Sequence, residues 1–250
     1  MTAWYEDTFG RDYLSLYPHR NDEEAHRDVS GILRLIDPPR DEPLLDLCCG
    51  AGRHLVAFRH AGFTRLTGLD LSKDLLAEAR ARLDAESMED IQLLRADMRE
   101  IPGCNLYGTI VSLFTSFGYF EDASEDGRVL RSAYRTLTHG GTFLLDTLNR
   151  AYVIASLVPN EEKELDGKRT IIYRHITSDG LRVEKETRIT QPGSPETTYR
   201  ESVRMYERTE IEEMLREIGF IDPRFYGGLK GQAFSDESPR MVFVASKAAI

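Results

Sequence analysis

A short apolar strand that runs into a glycine turn and then a helix constrains this chain more than any other segment. Pro43-Leu44-Leu45-Asp46-Leu47 leads directly into Cys48-Cys49-Gly50-Ala51-Gly52, and helical spacing follows from Arg53 to a stop at Gly62. An apolar run with little polar alternation suits a strand covered on both faces, which in a parallel sheet means helices above and below. The glycines permit a tight turn and a close backbone approach, and the start of the helix leaves amide donors unpaired.

The same unit recurs downstream. Residues 66–70 form a second apolar strand ending in Asp70, and Ser72 can cap a helix that carries Leu75, Leu76, Ala79 and Leu83 on one face. A third strand at 91–94 ends near Asp97, and a fourth spans 109–114. Helical phase at 124–137 places Val129, Leu130, Ala133, Tyr134 and Leu137 together, and Gly140-Gly141 turns into a fifth strand at 142–146. Upstream, the aromatics Trp4, Tyr5, Phe9, Tyr13 and Tyr17 precede an acidic helix start at Asp22-Glu23-Glu24; Asp37-Pro38-Pro39 stops that helix. Strands alternating with helices predict an α/β fold, a doubly wound and mostly parallel sheet.

The rhythm then breaks. Residues 170–176 and 181–190 alternate apolar and polar side chains around Asp179-Gly180, the pattern of a hairpin, and 197–206 adds a third antiparallel strand. It resumes with Thr209 and Glu212, read as a capping box, and a helical face of Ile211, Met214, Leu215 and Ile218 ending at Gly219. Closing strands fit 221–226 and 241–245. The expected division is an N-terminal helical segment at 1–36, a core at 37–167 and 207–250, and an inserted antiparallel sheet at 168–206.

Composition narrows the partners. The chain has 250 residues and a formal net charge of −10, with Asp and Glu at 42 against 32 Lys and Arg. Such a surface disfavours nucleic acid and acidic membranes, so the expected partner is a small molecule, with the chain a monomer or homodimer. Cys48, Cys49 and Cys104 lack the spacing of a disulfide framework or zinc site, and no metal is expected. The most apolar stretch, 110–120, is short and interrupted by Ser112, Thr115, Ser116 and Gly118, so it cannot span a bilayer. A cytoplasmic protein with reduced thiols is expected.

Asp46, Asp70 and Asp97 stand at three successive strand ends. A carboxylate at the end of the second strand suits the hydroxyls of a ribose. A dinucleotide fingerprint would carry a third glycine, but Leu55 stands there. Carboxylates without a neighbouring lysine suit a cationic ligand better than a phosphorylated one. S-adenosylmethionine, with its sulfonium and ammonium and no phosphate, meets that description.

These segments resemble known motifs. Leu45-Asp46-Leu47-Cys48-Cys49-Gly50-Ala51-Gly52 is similar to the first motif of class I S-adenosylmethionine-dependent methyltransferases, Gly68-Leu69-Asp70-Leu71-Ser72 to their second, and Ala96-Asp97-Met98-Arg99 to their third. Val111 through Phe120 resembles the fourth-strand motif of the branch with glycine N-methyltransferase-like and sugar-amine N-methyltransferases. Leu137 through Phe143 resembles the family's turn into strand five. Two positions depart: Cys48 stands where the family most often has glycine, and Gly108 replaces a common acid.

The resemblance implies a seven-stranded Rossmann-like sheet in methyltransferase order with an antiparallel last strand, the inserted sheet serving as a lid. It implies methyl transfer to a nitrogen or oxygen of a small molecule. A nicotinamide-dependent oxidoreductase and a protein or RNA methyltransferase are the alternatives. By the same resemblance, Gly50 and Gly52 line the methionine portion with Cys48 in their loop, and Asp46 holds the loop or receives the ammonium through water. Asp70 binds the ribose and Leu71 packs on the adenine. Asp97 accepts from the adenine amino group and Met98 covers the ring. The Leu113 carbonyl and Phe114 sit near the methionyl end, and Tyr13, Tyr17 and Arg20 of the N-terminal lid segment close over the cofactor. No residue is assigned to catalysis; Tyr119, His175 and Tyr13 are the candidates, and Tyr173 is a further candidate to face substrate. Of the possible bases His19, His54, His139 and His175, His54 is nearest the cofactor turn and is read as a structural hydrogen-bonder.

Overall fold

The computed structural model describes residues 4–9, 21–165 and 168–250. Helix α1 is Trp4–Thr8 and α2 is Asp22–Ile36, followed by β1 (Leu44–Leu47), α3 (Arg53–His60), β2 (Leu66–Asp70), α4 (Lys73–Ala85) and β3 (Gln92–Arg95). After a short 3-10 turn at Met98–Glu100 come β4 (Tyr107–Ser112), α5 (Ala123–Thr136), β5 (Leu137–Leu148) and α6 (Arg150–Ser156). Then β6 (Asn160–Leu165), β7 (Lys168–Ile176), β8 (Arg182–Thr190) and β9 (Thr197–Arg204) precede α7 (Arg208–Ile218), β10 (Phe220–Tyr226) and β11 (Arg240–Lys247).

Seven strands form one sheet in the order β10-β11-β5-β4-β1-β2-β3, and four form a second in the order β6-β7-β8-β9. Strands β1 to β5 pair parallel, and β11 runs antiparallel to both β5 and β10. The chain moves outward from β1 to β2 and β3, then returns to β4 on the other side of β1. That reversal opens a crevice at the carboxyl ends of β1 and β4, where sheets of this kind receive ligands.

Alternate residues of each strand feed opposite cores. Leu45, Leu47, Ile110, Phe143 and Phe243 pack with Val129, Leu130 and Ala133 of α5 and Ile211 and Leu215 of α7. Leu44, Val111, Leu144 and Val242 pack with Val29 and Ile32 of α2, Leu55, Val56 and Phe58 of α3, and Leu83 of α4. Each Leu, Ile, Val or Phe side chain so buried contributes roughly 1.5–3 kcal/mol. Helix α2 packs into this core layer, its apolar stripe meeting α3.

The second sheet differs from expectation in extent. It has a fourth strand, β6, which starts at Asn160, ahead of the expected boundary at 168. Asn160-Glu-Glu-Lys-Glu-Leu165 is nearly all charge and shows no alternation, so nothing marks it as a strand; as a sheet edge it gains from that charge. Helix α7 starts two residues earlier than expected: the Glu210 carboxylate accepts from the Glu207 amide at 2.8 Å, and Thr209 lies inside the first turn. Strand β4 stops at Ser112 because Phe114 and Thr115 adopt φ of 58° and 66°. Among the described residues no helix is long and apolar enough to cross a membrane.

Gly31 shows how closely the α2 layer is packed, since a methyl there would collide with the Leu229 carbonyl oxygen. Gly31→Ala is expected to lower unfolding free energy by about 1–3 kcal/mol, the cost of overpacking. Urea denaturation with unchanged stability would show that this layer yields freely.

Candidate active site

At the carboxyl end of β2, Asp70 ties three segments together. Its Oδ2 accepts from the Gly50 amide at 2.9 Å and its Oδ1 from the Ser72 amide at 2.9 Å. Ser72 in turn caps α4, its hydroxyl accepting from Leu75 N at 3.2 Å. Burial raises the Asp70 pKa, and the amides of Ser72 and Gly50 oppose the rise. Each carboxylate oxygen has two acceptor sites, so these ties leave capacity for ligand hydroxyls.

The turn itself is held in the left-handed region. Gly50 has φ of 54° and Gly52 of 76°, and Cys48 occupies the same region at 64°. Glycine is the natural residue there; Cys48 tolerates the strain because its sulfur packs 3.6 Å from that of Met98. The two glycines divide their work. Gly50 faces open space, whereas Gly52 is buried and its missing side chain admits Ala79 of α4.

Beneath the turn, the Asp46 carboxyl is buried and its Oδ2 has no hydrogen-bond partner. Burial, reinforced by Asp70 and opposed by Arg53, pushes its pKa up to about 7. Burial also pushes both Cys48 and Cys49 thiols well above the ordinary value, which keeps them protonated packing groups. An orphaned buried carboxyl beside a turn whose glycine faces open space fits S-adenosylmethionine, which brings an ammonium and a sulfonium.

The third strand end is arranged differently. Asp97 caps the Met98–Glu100 turn through Arg99 N at 2.8 Å, and the Arg99 guanidinium grips both its oxygens at 2.5–3.1 Å. Burial alone would raise the Asp97 pKa, but the bonds from Arg99 outweigh it and hold it low. Arg99 continues to Glu125 on α5 at 2.6 Å. Met98 is buried, and Leu71 beyond Asp70 is half-buried.

Beyond β4 the backbone is pinned by a residue to which the sequence assigns no role. Asp146, near the end of β5, accepts from the Phe114 amide at 3.1 Å through Oδ2, and its carbonyl accepts from the Thr115 amide at 3.0 Å. Its Oδ1 receives Arg240 Nε at 2.7 Å, while Arg240 Nη2 is buried without a partner. The Phe114 ring lies under the Arg53 guanidinium at 4.2 Å and beside His54 at 5.6 Å, both on α3 just after the glycine turn. The Leu113 carbonyl accepts from the Ser116 hydroxyl at 3.1 Å.

Phe114 and Thr115 also form one wall of a cleft of about 620 Å³ between the two sheets. Tyr119, Leu148, Val153 and Arg240 continue that wall, and Arg174, Val183, Lys185, Glu201 and Val203 face it from the small sheet. Arg174 and Lys185 stand directly opposite on β7 and β8, a like-charge pairing that costs stability. Glu161 at 2.7 Å from Arg174 and Glu201 at 2.7 Å from Lys185 offset it.

The other expected groups lie elsewhere. His175 and Tyr173 are on β7 with the opposite parity to Arg174, so they point away from the cleft; His175 is 66% exposed and pairs with Glu184 at 3.2 Å. His139 sits at the amino end of β5, across the sheet from the crevice, with Nδ1 donating to the Ala248 carbonyl at 3.3 Å. His54 bonds Asp28 of α2 at 3.3 Å, and burial lowers its pKa, a structural hydrogen bond as read from the sequence. Tyr13, Tyr17, His19 and Arg20 lie outside the described residues.

Known methyltransferases share this architecture. Residues 44–141 match the Methyltransf_25 family, a methyltransferase domain. A dTDP-3-amino-3,4,6-trideoxy-alpha-D-glucopyranose N,N-dimethyltransferase of Streptomyces venezuelae is 27% identical over 215 residues, spanning 82% of this chain and 86% of its own length. The CcbJ methyltransferase from Streptomyces caelestis superposes with a TM-score of 0.81 at 17% identity, over 97% of this chain and 98% of that one. CalS10, an amino pentose methyltransferase from Micromonospora echinaspora solved with S-adenosylmethionine bound, gives 0.70 at 22% identity, over 95% and 97%. With the glycine turn, the strand-end carboxylates and the adjoining cleft in place, this chain is a class I S-adenosylmethionine-dependent methyltransferase.

Proposed function

We propose that the enzyme methylates an amine nitrogen on a small sugar-like acceptor held in the cleft between the two sheets. The observation that carries this reading is the cleft itself, which begins at Phe114 and Thr115, the first of them packed against Arg53 and His54 just after the glycine turn. The substrates named for the Streptomyces venezuelae relative, an amino sugar on a nucleotide, indicate the class. The chemistry of the wall favours nitrogen over oxygen. A hydroxyl acceptor needs a general base; among the described residues lining the cleft there is no histidine, and the carboxylates Glu161 and Glu201 are each held by a cation, Arg174 and Lys185. An amine, once it reaches the cleft unprotonated, brings its own lone pair.

S-adenosylmethionine supplies an electrophilic methyl on its sulfonium. The chain contributes alignment and dryness. In this reading Asp70 holds the ribose, the Gly50–Gly52 turn lines the methionine portion, and Asp46 balances the ammonium. Val153, Val183 and Val203 keep water from the reacting line, while the paired charges of the small sheet orient polar groups of the acceptor. Arg240, fixed by Asp146, brings a positive charge to the cleft wall for the acceptor's oxygens. The expected place of work is a reducing compartment, in keeping with the free Cys48, Cys49 and Cys104. Residues 160–206 then act as the lid on the acceptor.

The direct test is incubation with S-adenosylmethionine and a panel of nucleotide-linked amino sugars, their hydroxy counterparts, and free amines. Mass gain of one or two methyl groups on the amines alone is expected; methylation of the hydroxy sugars instead would reverse the assignment. For the cofactor end, Asp70→Ala is expected to weaken S-adenosylhomocysteine binding by about 1–3 kcal/mol in calorimetry. Unaltered affinity would put the ribose elsewhere.

Asp46 adds a pH dependence. Its pKa is raised from 3.8 to about 7 by burial and Asp70, so the ligand-free protein loses stability as pH rises through that interval, while the carboxyl ionises. Attraction for a cationic ligand rises over the same interval. Asp46→Asn should flatten both trends, seen as a melting temperature and an S-adenosylmethionine affinity that vary less with pH than in the parent. If the two proteins show parallel curves, Asp46 is not the titrating group.

A further inference from the structure

The loop after β4 is held from three sides, and one of its grips comes from the small sheet. Arg182, the first residue of β8, donates from Nη1 to the Phe120 carbonyl at 2.9 Å. Its Nη2 reaches the carbonyls of Gly118 at 3.3 Å and Tyr119 at 3.4 Å, as well as that of Ser202 at 2.7 Å. Nε is seated on the Ser202 hydroxyl at 2.9 Å. From the α5 side, buried Asp126 accepts from the Gly118 amide at 3.1 Å and from the Tyr206 hydroxyl at 2.7 Å. From α1, Trp4 Nε1 donates to the Tyr119 carbonyl at 3.3 Å, its ring edge-on to Tyr119 with centroids 5.0 Å apart. Gly118 makes the close approach possible: it has φ of 87°, the Arg204 amide donates to its carbonyl at 2.7 Å, and a side chain there would strike the Arg204 carbonyl oxygen.

Strand alternation gives this grip a consequence. Arg182, Ser202 and Arg204 lie on one face of the β8–β9 pair, and Val183, Lys185, Glu201 and Val203 lie on the other, where they line the cleft. The face that grasps the core loop and the face that lines the cleft are thus neighbours along the same backbone. Tyr119, the residue grasped, lines the cleft from the core side.

We propose that Arg182 is a positioning residue for methyl transfer: together with Trp4 it clamps the Gly118–Phe120 backbone, so that Tyr119 and the small sheet present the two walls of the acceptor cleft in one fixed register. The proposal rests on the reading of this cleft as the acceptor site. A guanidinium is suited to the task because its planar fork directs several donors at once, which an ammonium cannot reproduce. Tyr119 touches the acceptor space and Arg182 does not, so Arg182 acts through geometry alone.

Trp4 is the chain's single tryptophan, which makes its fluorescence a reporter of the clamp. In Arg182→Met, the Trp4 emission is expected to shift and the amides of 118–120 to exchange faster with deuterium, with S-adenosylhomocysteine affinity unchanged. On an amine turned over by the parent enzyme, kcat is expected to fall by about 10- to 100-fold, the loss typical of small misplacement. Arg182→Lys should restore little of the lost activity. Emission and exchange identical to the parent would overturn the clamp, as would altered emission with undiminished kcat. A parallel loss of S-adenosylhomocysteine affinity would make Arg182 a general element of the fold and overturn it too. If Arg182→Met does not fold, Ser202→Ala, which removes the seat of Nε, carries the same readouts on a milder scale. The emission and exchange measurements need no acceptor, so they judge the clamp even if the amino-sugar panel gives no turnover.

Discussion

Two carboxylates that accept from backbone amides organise this enzyme. Asp70 joins the glycine turn to the start of α4, and Asp146 joins the left-handed pair Phe114–Thr115 to Arg240. Both stand at carboxyl ends of parallel strands, where the backbone leaves the sheet and its amides lose their ladder partners. A carboxylate is the strongest acceptor a side chain can offer to such donors. Each turns a loop that would otherwise be free into a fixed rim of the crevice. Without the first the glycine turn loses its tie to the end of β2, and without the second the strained end of β4 loses its side-chain acceptor.

The two rims meet at Phe114. Its ring closes against Arg53 and His54 behind the glycine turn, and the same residue opens the cleft between the two sheets. Strained backbone is tolerated here because Asp146 over-determines it, the usual circumstance for left-handed non-glycine residues at a functional site. The second sheet supplies the opposite wall. Its inner face carries ion pairs between valines, an arrangement that costs desolvation and makes sense where a polar ligand must be oriented.

Much of the core was legible because its signals are local. Apolar runs, the Ser72 cap, the proline stop after Ile36 and the glycine stop at Gly219 each act within a few residues, and the structure has its elements there. Strand β6 was not legible, because an edge strand is selected for charge and shows no alternation. His175 was misdirected by the same small sheet: reading one residue along a strand reverses the face, and Arg174, with the right parity, lines the cleft in its place.

The amino-acid sequence by itself determined the alternation of strands and helices, the turn at Cys48–Gly52 and the acid that ends β2, since these follow from periodicity, glycine and chain direction. Tertiary structure decided the rest of the site. Asp146 and Arg240 lie far apart in sequence and meet only because β11 inserts antiparallel beside β5, and Arg182 reaches Gly118 only because a second sheet folds back on the first. Such contacts depend on which strands become neighbours, and that is settled by burying two apolar faces at once rather than by any local preference.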